Sequence, residues 1–167
     1  MNLQELESKI ENVANFPKPG VNFKDISPLL RYHFNETIDH LCQLFPHNDY
    51  DAIAGIESRG FIIASALAYK NNKGLILVRK KGKLPPQVLS QHYQLEYGSD
   101  TLEIKSPQNA ARVLIADDII ATGGTLGATI DLCEKAGLTP MGAVGVMSLS
   151  FLLKKKISIP VKELFRY

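Results

Sequence analysis

The chain has 167 residues, of which 45% are apolar and 22% charged, with a formal net charge of +2. That is enough for one domain with a sizeable core, spanning residues 1–167, and too little charge for a nucleic-acid-binding surface. No apolar run is long enough to span a bilayer, and the opening Met1-Asn2-Leu3-Gln4-Glu5 lacks the basic segment and apolar core of a secretory signal, so a cytoplasmic location is expected.

Leu3, Leu6, Ile10 and Val13 recur at helical spacing and predict a helix over residues 3–14. Residues 15–28 carry Pro17, Pro19, Gly20 and Pro28, too irregular for a regular element. They also carry Phe16, Val21, Phe23 and Ile26, which suits a packed lid or pocket wall. Ile38, Leu41, Cys42 and Phe45 predict one face of a helix over residues 35–45, ended by Pro46. Cys42 and Cys133 form no metal-type spacing and read as reduced thiols.

Residues 51–56 read as the first core strand, and residues 61–69 as an apolar helix. The turn between them, Glu57-Ser58-Arg59-Gly60, offers backbone amides and a permanent cation to an anion. Residues 75–78 are a second buried strand. Arg79, Lys80, Lys81 and Lys83 follow it, a basic run that is either a solvated loop or an anion-steering one. Residues 84–92, with two prolines and no clear period, read as a flexible flap; residues 93–97 and 101–105 read as a hairpin around Gly98-Ser99-Asp100.

The most informative stretch is residues 112–127. A buried strand ends in Asp117 and Asp118, and Ile119, Ile120 and Ala121 lead into Thr122-Gly123-Gly124-Thr125 and a helix. Glycines at a helix start let amides close on a phosphate, and the threonines add hydroxyl donors. Carboxylates repel a phosphate but accept hydrogen bonds from a vicinal diol. Together they fit a ribose 5-phosphate. Adjacent residues on an extended strand point oppositely, so both acids reach one diol only across a local turn. Leu126, Ile130 and Cys133 form the core face of the helix, which Gly137 ends; residues 141–149 read as another buried strand. A basic and apolar tail occupies residues 151–167.

The stretch Asp117-Asp118-Ile119-Ile120-Ala121-Thr122-Gly123-Gly124-Thr125 resembles the phosphoribosyl-pyrophosphate (PRPP) signature of type I phosphoribosyltransferases, in the form of the adenine branch. The Gly55-Ile56-Glu57-Ser58-Arg59-Gly60-Phe61 run is similar to that family's pyrophosphate loop, which commonly carries a non-proline cis peptide. The Phe16 to Leu30 segment and Tyr93-Gln94-Leu95-Glu96-Tyr97-Gly98 are similar to two further adenine-branch motifs. The tail looks shorter than in relatives.

The resemblance implies an α/β fold with a mainly parallel central sheet flanked by helices, a small hood over residues 1–33, and a flap and hairpin over residues 82–105. It implies transfer of phosphoribose from PRPP to adenine, with Mg²⁺ held mainly through substrate and water and no direct protein ligand, in a homodimer. By that likeness Ala121, Thr122, Gly123, Gly124 and Thr125 hold the 5-phosphate, and Asp117 and Asp118 the ribose. Glu57, Ser58, Arg59, Gly60, Arg79, Lys80 and Lys83 take the pyrophosphate. Val21, Asn22, Phe23 and Lys24 border adenine, Phe23 equally readable as core. Tyr97 belongs to the flap. Ala121 stands where 6-oxopurine enzymes have an acid and cannot move a proton, which leaves Glu96 as general acid or base alongside Arg59. Another purine substrate, or a PRPP-sensing regulator of the same fold, are the alternatives.

Overall fold

In the computed structural model, residues 1–95, 98–106, 109–149 and 157–167 are described. The elements run α1 (Leu3–Glu7), β1 (Glu11–Ala14), β2 (Asn22–Asp25), α2 (Ser27–Tyr32), α3 (Phe34–Cys42), β3 (Ala52–Ile56), α4 (Gly60–Lys70) and β4 (Gly74–Lys80). They continue through β5 (Val88–Gln94), β6 (Ser99–Lys105), β7 (Arg112–Ala116), β8 (Ile119–Ile120), α5 (Gly124–Lys135), β9 (Thr139–Ser148) and β10 (Val161–Arg166).

The main sheet has the order β10-β9-β7-β3-β4-β6-β5, with β8 paired to β9. Its centre, β9-β7-β3-β4, is parallel, β10 joins β9 in parallel, and β6 and β5 close the other edge antiparallel. The parallel strands are apolar runs because both faces are covered. Ile53, Ala54, Val113, Leu114, Ile115 and Val144 are all nearly inaccessible. Helix α4 presses Ile63, Ala64 and Leu67 onto the sheet. Gly55 allows that approach: a Cβ there would lie 2.7 Å from the Ala64 Cβ.

The topology decides where a ligand goes. From β3 the chain passes through α4 to β4 on one side, and from β7 through α5 to β9 on the other. The two connections diverge from adjacent strands, and the crevice beyond their carboxyl ends is a switch point. Residues 57–60 and 117–125 both open into it.

Several expectations are corrected. The helix expected over residues 3–14 stops at Glu7, and residues 11–14 instead pair with Asn22–Asp25 in a separate two-stranded ribbon. Leu6 and Ile10 are buried as the helical period requires, but Val13 stays exposed opposite Phe23. Cross-strand pairing there overrides the period. The segment read as wholly irregular thus contains β2 and the start of α2, which Pro28 helps to initiate. The helix expected over 35–45 spans Phe34–Cys42. The hairpin is longer than expected: β5 includes residues 88–92, in register with β6 from Val88↔Lys105 to Gln94↔Ser99. A further strand, β10, lies in the tail and buries Phe165.

Candidate active site

The two acids sit where β7 ends and before β8 begins, so the strand's alternation no longer applies to them. Asp117 Oδ1 accepts a hydrogen bond from the Asp118 backbone N–H at 2.8 Å. This local turn brings both carboxylates to one central cavity, together with Glu57, Ser58, Arg59, Lys80, Tyr93, Leu95 and Thr125. The condition for two adjacent acids to share a diol is thereby met.

Asp118 is only 4% exposed. Arg59 Nε lies 2.7 Å from its Oδ2, but the pair is not aligned as a hydrogen bond, so that oxygen is buried without a donor. Asp117 is half-buried. Loss of water around it, then the neighbouring Asp118 carboxylate, push Asp117 well above the ordinary carboxylate range, and Arg59 recovers only part of the shift. Crowding raises the cost of a second negative charge here, and a partner that donates hydrogen bonds offsets it.

Gly60 locks the two loops together. A Cβ there would meet Asp117 Oδ1 at 2.8 Å and the Ala116 carbonyl at 3.1 Å. The Glu57–Ser58 peptide bond is cis, at the turn where the resemblance implied one.

Ala121, Thr122, Gly123 and Thr125 line a cup beside Asp117, floored by Ile115, Leu126 and Val144. Gly123 has φ +80°, which glycine adopts without strain, and starts α5 with no side-chain cap. The first amides of α5 therefore lack carbonyl partners within the helix and face an anion with the positive end of its dipole. Gly124 turns toward the hairpin: a Cβ on it would lie 3.4 Å from the Gln94 carbonyl.

The basic run is organised by acids. Lys83 Nζ lies 2.5 Å and Arg79 Nε 3.2 Å from the Glu57 carboxylate, whose side chain is 5% exposed, and the Lys80 N–H donates to it at 2.8 Å. Burial pushes Glu57 up, but Lys83, the Lys80 amide and Arg79 outweigh it and hold it at about 2. Glu57 is thus a counter-ion to Arg79 and Lys83 and does not itself suit an anion. Lys80 enters the central cavity and pairs with Asp100 at 2.6 Å, a counter-ion not singled out from the sequence.

Phe23 and Lys24 line a smaller pocket with Asp25, Ile26, Arg59, Asp118 and Ile119. Arg59 and Asp118 are common to this pocket and the central cavity, so the hood meets the crevice at their ion pair. Phe23 is half-buried and packs edge-on against Phe16, with ring centroids 5.3 Å apart. Val21 and Asn22 precede this lining; Asn22 is exposed. Glu96 and Tyr97 lie outside the described residues. Beside them, the Leu95 N–H donates to the Gly98 carbonyl at 2.9 Å, and Leu95 lines the central cavity. Cys133 offers no nucleophile, since burial pushes its thiol up to about 12.

The chain is similar to known proteins along most of its length. The phosphoribosyl transferase domain family matches residues 36–159. The chain is 47% identical over 170 residues to the adenine phosphoribosyltransferase of Prochlorococcus marinus strain MIT 9313, covering 98% of this chain and 99% of that one. The Hydrogenovibrio crunogenus enzyme of the same name is 46% identical over 155 residues, covering 91% and 90%. The adenine phosphoribosyltransferase structure from Thermoanaerobacter pseudethanolicus matches with a TM-score of 0.92 at 38% identity, over 99% of this chain and 100% of that one. The Saccharomyces cerevisiae enzyme, solved with an imino-altritol bisphosphate and adenine, matches with a TM-score of 0.89 at 38% identity, over 97% of each chain.

Proposed function

The chain belongs to the adenine phosphoribosyltransferase family, and on that premise we propose how its residues divide the transfer of phosphoribose from PRPP to adenine, which yields AMP and pyrophosphate. The observation that carries this reading is the turn directing Asp117 and Asp118 into one cavity with Arg59 and Lys80.

The cup of Ala121, Thr122, Gly123, Gly124 and Thr125 holds the 5-phosphate. Asp117 and Asp118 accept from the ribose diol, fixing C1′ between the two remaining subsites. Ser58, Arg59, Gly60 and Lys80 receive the pyrophosphate, with Arg79 and Lys83 behind them on Glu57. The hood, through Phe23 and Lys24 and the neighbouring backbone of Val21 and Asn22, receives adenine.

Departure of pyrophosphate leaves positive charge at C1′, as in glycoside cleavage. The acid pair is placed to stabilise that positive charge, and Arg59, seated beside Asp118, to receive the negative charge of the leaving group. Because Ala121 has no titratable group, Glu96 is the residue proposed to exchange a proton with the base. Among the described residues no cluster of acids, histidines or cysteines would hold a metal by itself, and Asp118 Oδ2 already faces the Arg59 cation, which supports Mg²⁺ held mainly through substrate and water. PRPP oxygens and water would supply its octahedron. Mg²⁺, when bound, neutralises pyrophosphate charge.

The protein is proposed to work in the cytoplasm as a single-domain homodimer. Exposed Ile62 and Tyr69 on α4 offer an apolar face to a second copy. Among the described residues, no helix is long and apolar enough to cross a membrane.

The test is pyrophosphate release from PRPP with adenine, hypoxanthine, guanine or xanthine, with and without Mg²⁺. Turnover is expected with adenine and Mg²⁺; equal turnover of a 6-oxopurine overturns the base assignment, and no turnover of any purine overturns the enzyme reading. In the same assay Glu96→Gln, Glu96→Ala and Glu96→Leu should slow turnover. Three unchanged rates would remove Glu96 from the proton transfer.

A further inference from the structure

The ribbon of β1 and β2 forms its own two-stranded sheet, yet it supplies Phe23 and Lys24 to the hood pocket. β1 is exposed throughout, so little apolar burial holds the ribbon down. Tyr167 reaches it from the opposite end of the chain. Strand β10, anchored by buried Phe165, delivers Tyr167 beside β9, where its N–H donates to the Ser148 carbonyl at 2.9 Å. The Lys24 ammonium sits over the Tyr167 ring, 4.0 Å from its centroid. The phenol hydroxyl donates to the Glu7 carboxylate at the end of α1. Burial, then this hydrogen bond, push the phenol up to about 12, so it remains a donor throughout the neutral range.

We infer that Tyr167 is a positioning residue for the base site: its ring seats Lys24 and its hydroxyl grips Glu7, tying the ribbon to the main sheet on one side and to α1 on the other. The inference rests on the reading of the hood pocket as the adenine site. Lys24 is a long, four-torsion side chain whose head would otherwise sample solvent. Seating it on an aromatic face restricts the strand that carries it, and adenine then meets a pocket wall already in place. The effect belongs to base binding. The 5-phosphate cup and the acid pair stand on β7, β8 and α5 rather than on the ribbon.

The test is steady-state kinetics on Tyr167→Phe, Tyr167→Leu, Lys24→Met and the Tyr167→Leu/Lys24→Met double variant, varying adenine at saturating PRPP and PRPP at saturating adenine. Tyr167→Leu is expected to raise the KM for adenine about 3- to 30-fold, the range set by a partly desolvated cation–π contact. The KM for PRPP should stay within about twofold, because its contacts are elsewhere. Tyr167→Phe keeps the ring and loses only the Glu7 tie, so its adenine KM should rise by less than that of Tyr167→Leu. The double variant should fall short of the sum of the two single effects, since both changes remove the same Lys24–ring contact. Lys24→Met alters a half-buried surface side chain, so it carries the test if Tyr167→Leu fails to fold. A Tyr167→Leu enzyme with unchanged adenine KM, or with both KM values raised in parallel, overturns the inference. An unchanged adenine KM in Lys24→Met removes the hood reading itself.

Discussion

Replacing Gly60 by alanine tests how tightly the two loops of the site are locked. The added Cβ would lie 2.8 Å from Asp117 Oδ1, 3.1 Å from the Ala116 carbonyl and 3.1 Å from Asp117 Cα. Ordinary carbon–oxygen contacts begin at about 3.3 Å, so Asp117 must retreat by roughly 0.5 Å. Two of the three atoms are backbone, and no change of rotamer relieves them. Overpacking of this kind costs about 1–3 kcal/mol, or roughly 2–10 °C in melting temperature for a chain of this size. A misplacement of about 1 Å at a reacting centre costs about 100-fold, so half of that should cost on the order of tenfold or more. Gly60→Ala is therefore expected to lower kcat/KM for PRPP by about 10- to 100-fold. Its dissociation constant for adenine should change little. The assay is initial-rate AMP formation, with adenine binding measured separately by fluorescence or calorimetry. Wild-type kcat/KM for PRPP in a folded Gly60→Ala protein would refute the tight junction between the loops.

Asp117 predicts a pH effect of definite sign. Its carboxyl is pushed up in the folded protein, so between the unfolded and folded values the folded state binds the extra proton and stability falls as pH rises. Asp117→Asn keeps an acceptor for the Asp118 N–H and removes that fall. Its melting temperature should exceed that of wild type by a margin that grows from about pH 5 to pH 8, while turnover with PRPP drops. A margin independent of pH would contradict the assigned environment. Glu57 has the opposite sign. Held at about 2, it contributes stability above the ordinary glutamate range, and this is lost as pH falls toward that value. Glu57→Gln should flatten the acid limb of a melting-temperature profile and raise the KM for pyrophosphate in the reverse reaction several-fold. An unchanged pyrophosphate KM would separate Arg79 and Lys83 from the leaving-group site.

Much of this was legible in the sequence because parallel strands and their turns carry strong local signals. The apolar runs at 113–116 and 51–56 mark β7 and β3, and each ends in a short turn whose residue types suit a ligand. The hood was harder. Leu6 and Ile10 are buried at helical spacing, yet β1 forms through pairing with residues eleven or so positions away, which no local period records. Strand β5 was hidden for another reason: Leu89, Gln91 and Tyr93 face inward alternately, but the polar Gln91 breaks the apolar pattern. The pairing of the basic run with Glu57 and Asp100 depends on β4 lying beside both β3 and β6, a fact of topology. The bond between Tyr167 and the hood joins the two ends of the sequence, and nothing in either segment alone announces it.

The account's central claim is that the acid pair holds the ribose of PRPP. Calorimetric titration of PRPP into wild type and Asp118→Asn, with Mg²⁺ present, tests it most directly. Hydrogen bonds from hydroxyls to a charged acceptor contribute about 1.5–3 kcal/mol, so the variant should bind PRPP about 10- to 100-fold more weakly while keeping its fold. Equal affinity for PRPP in the two proteins would contradict the claim.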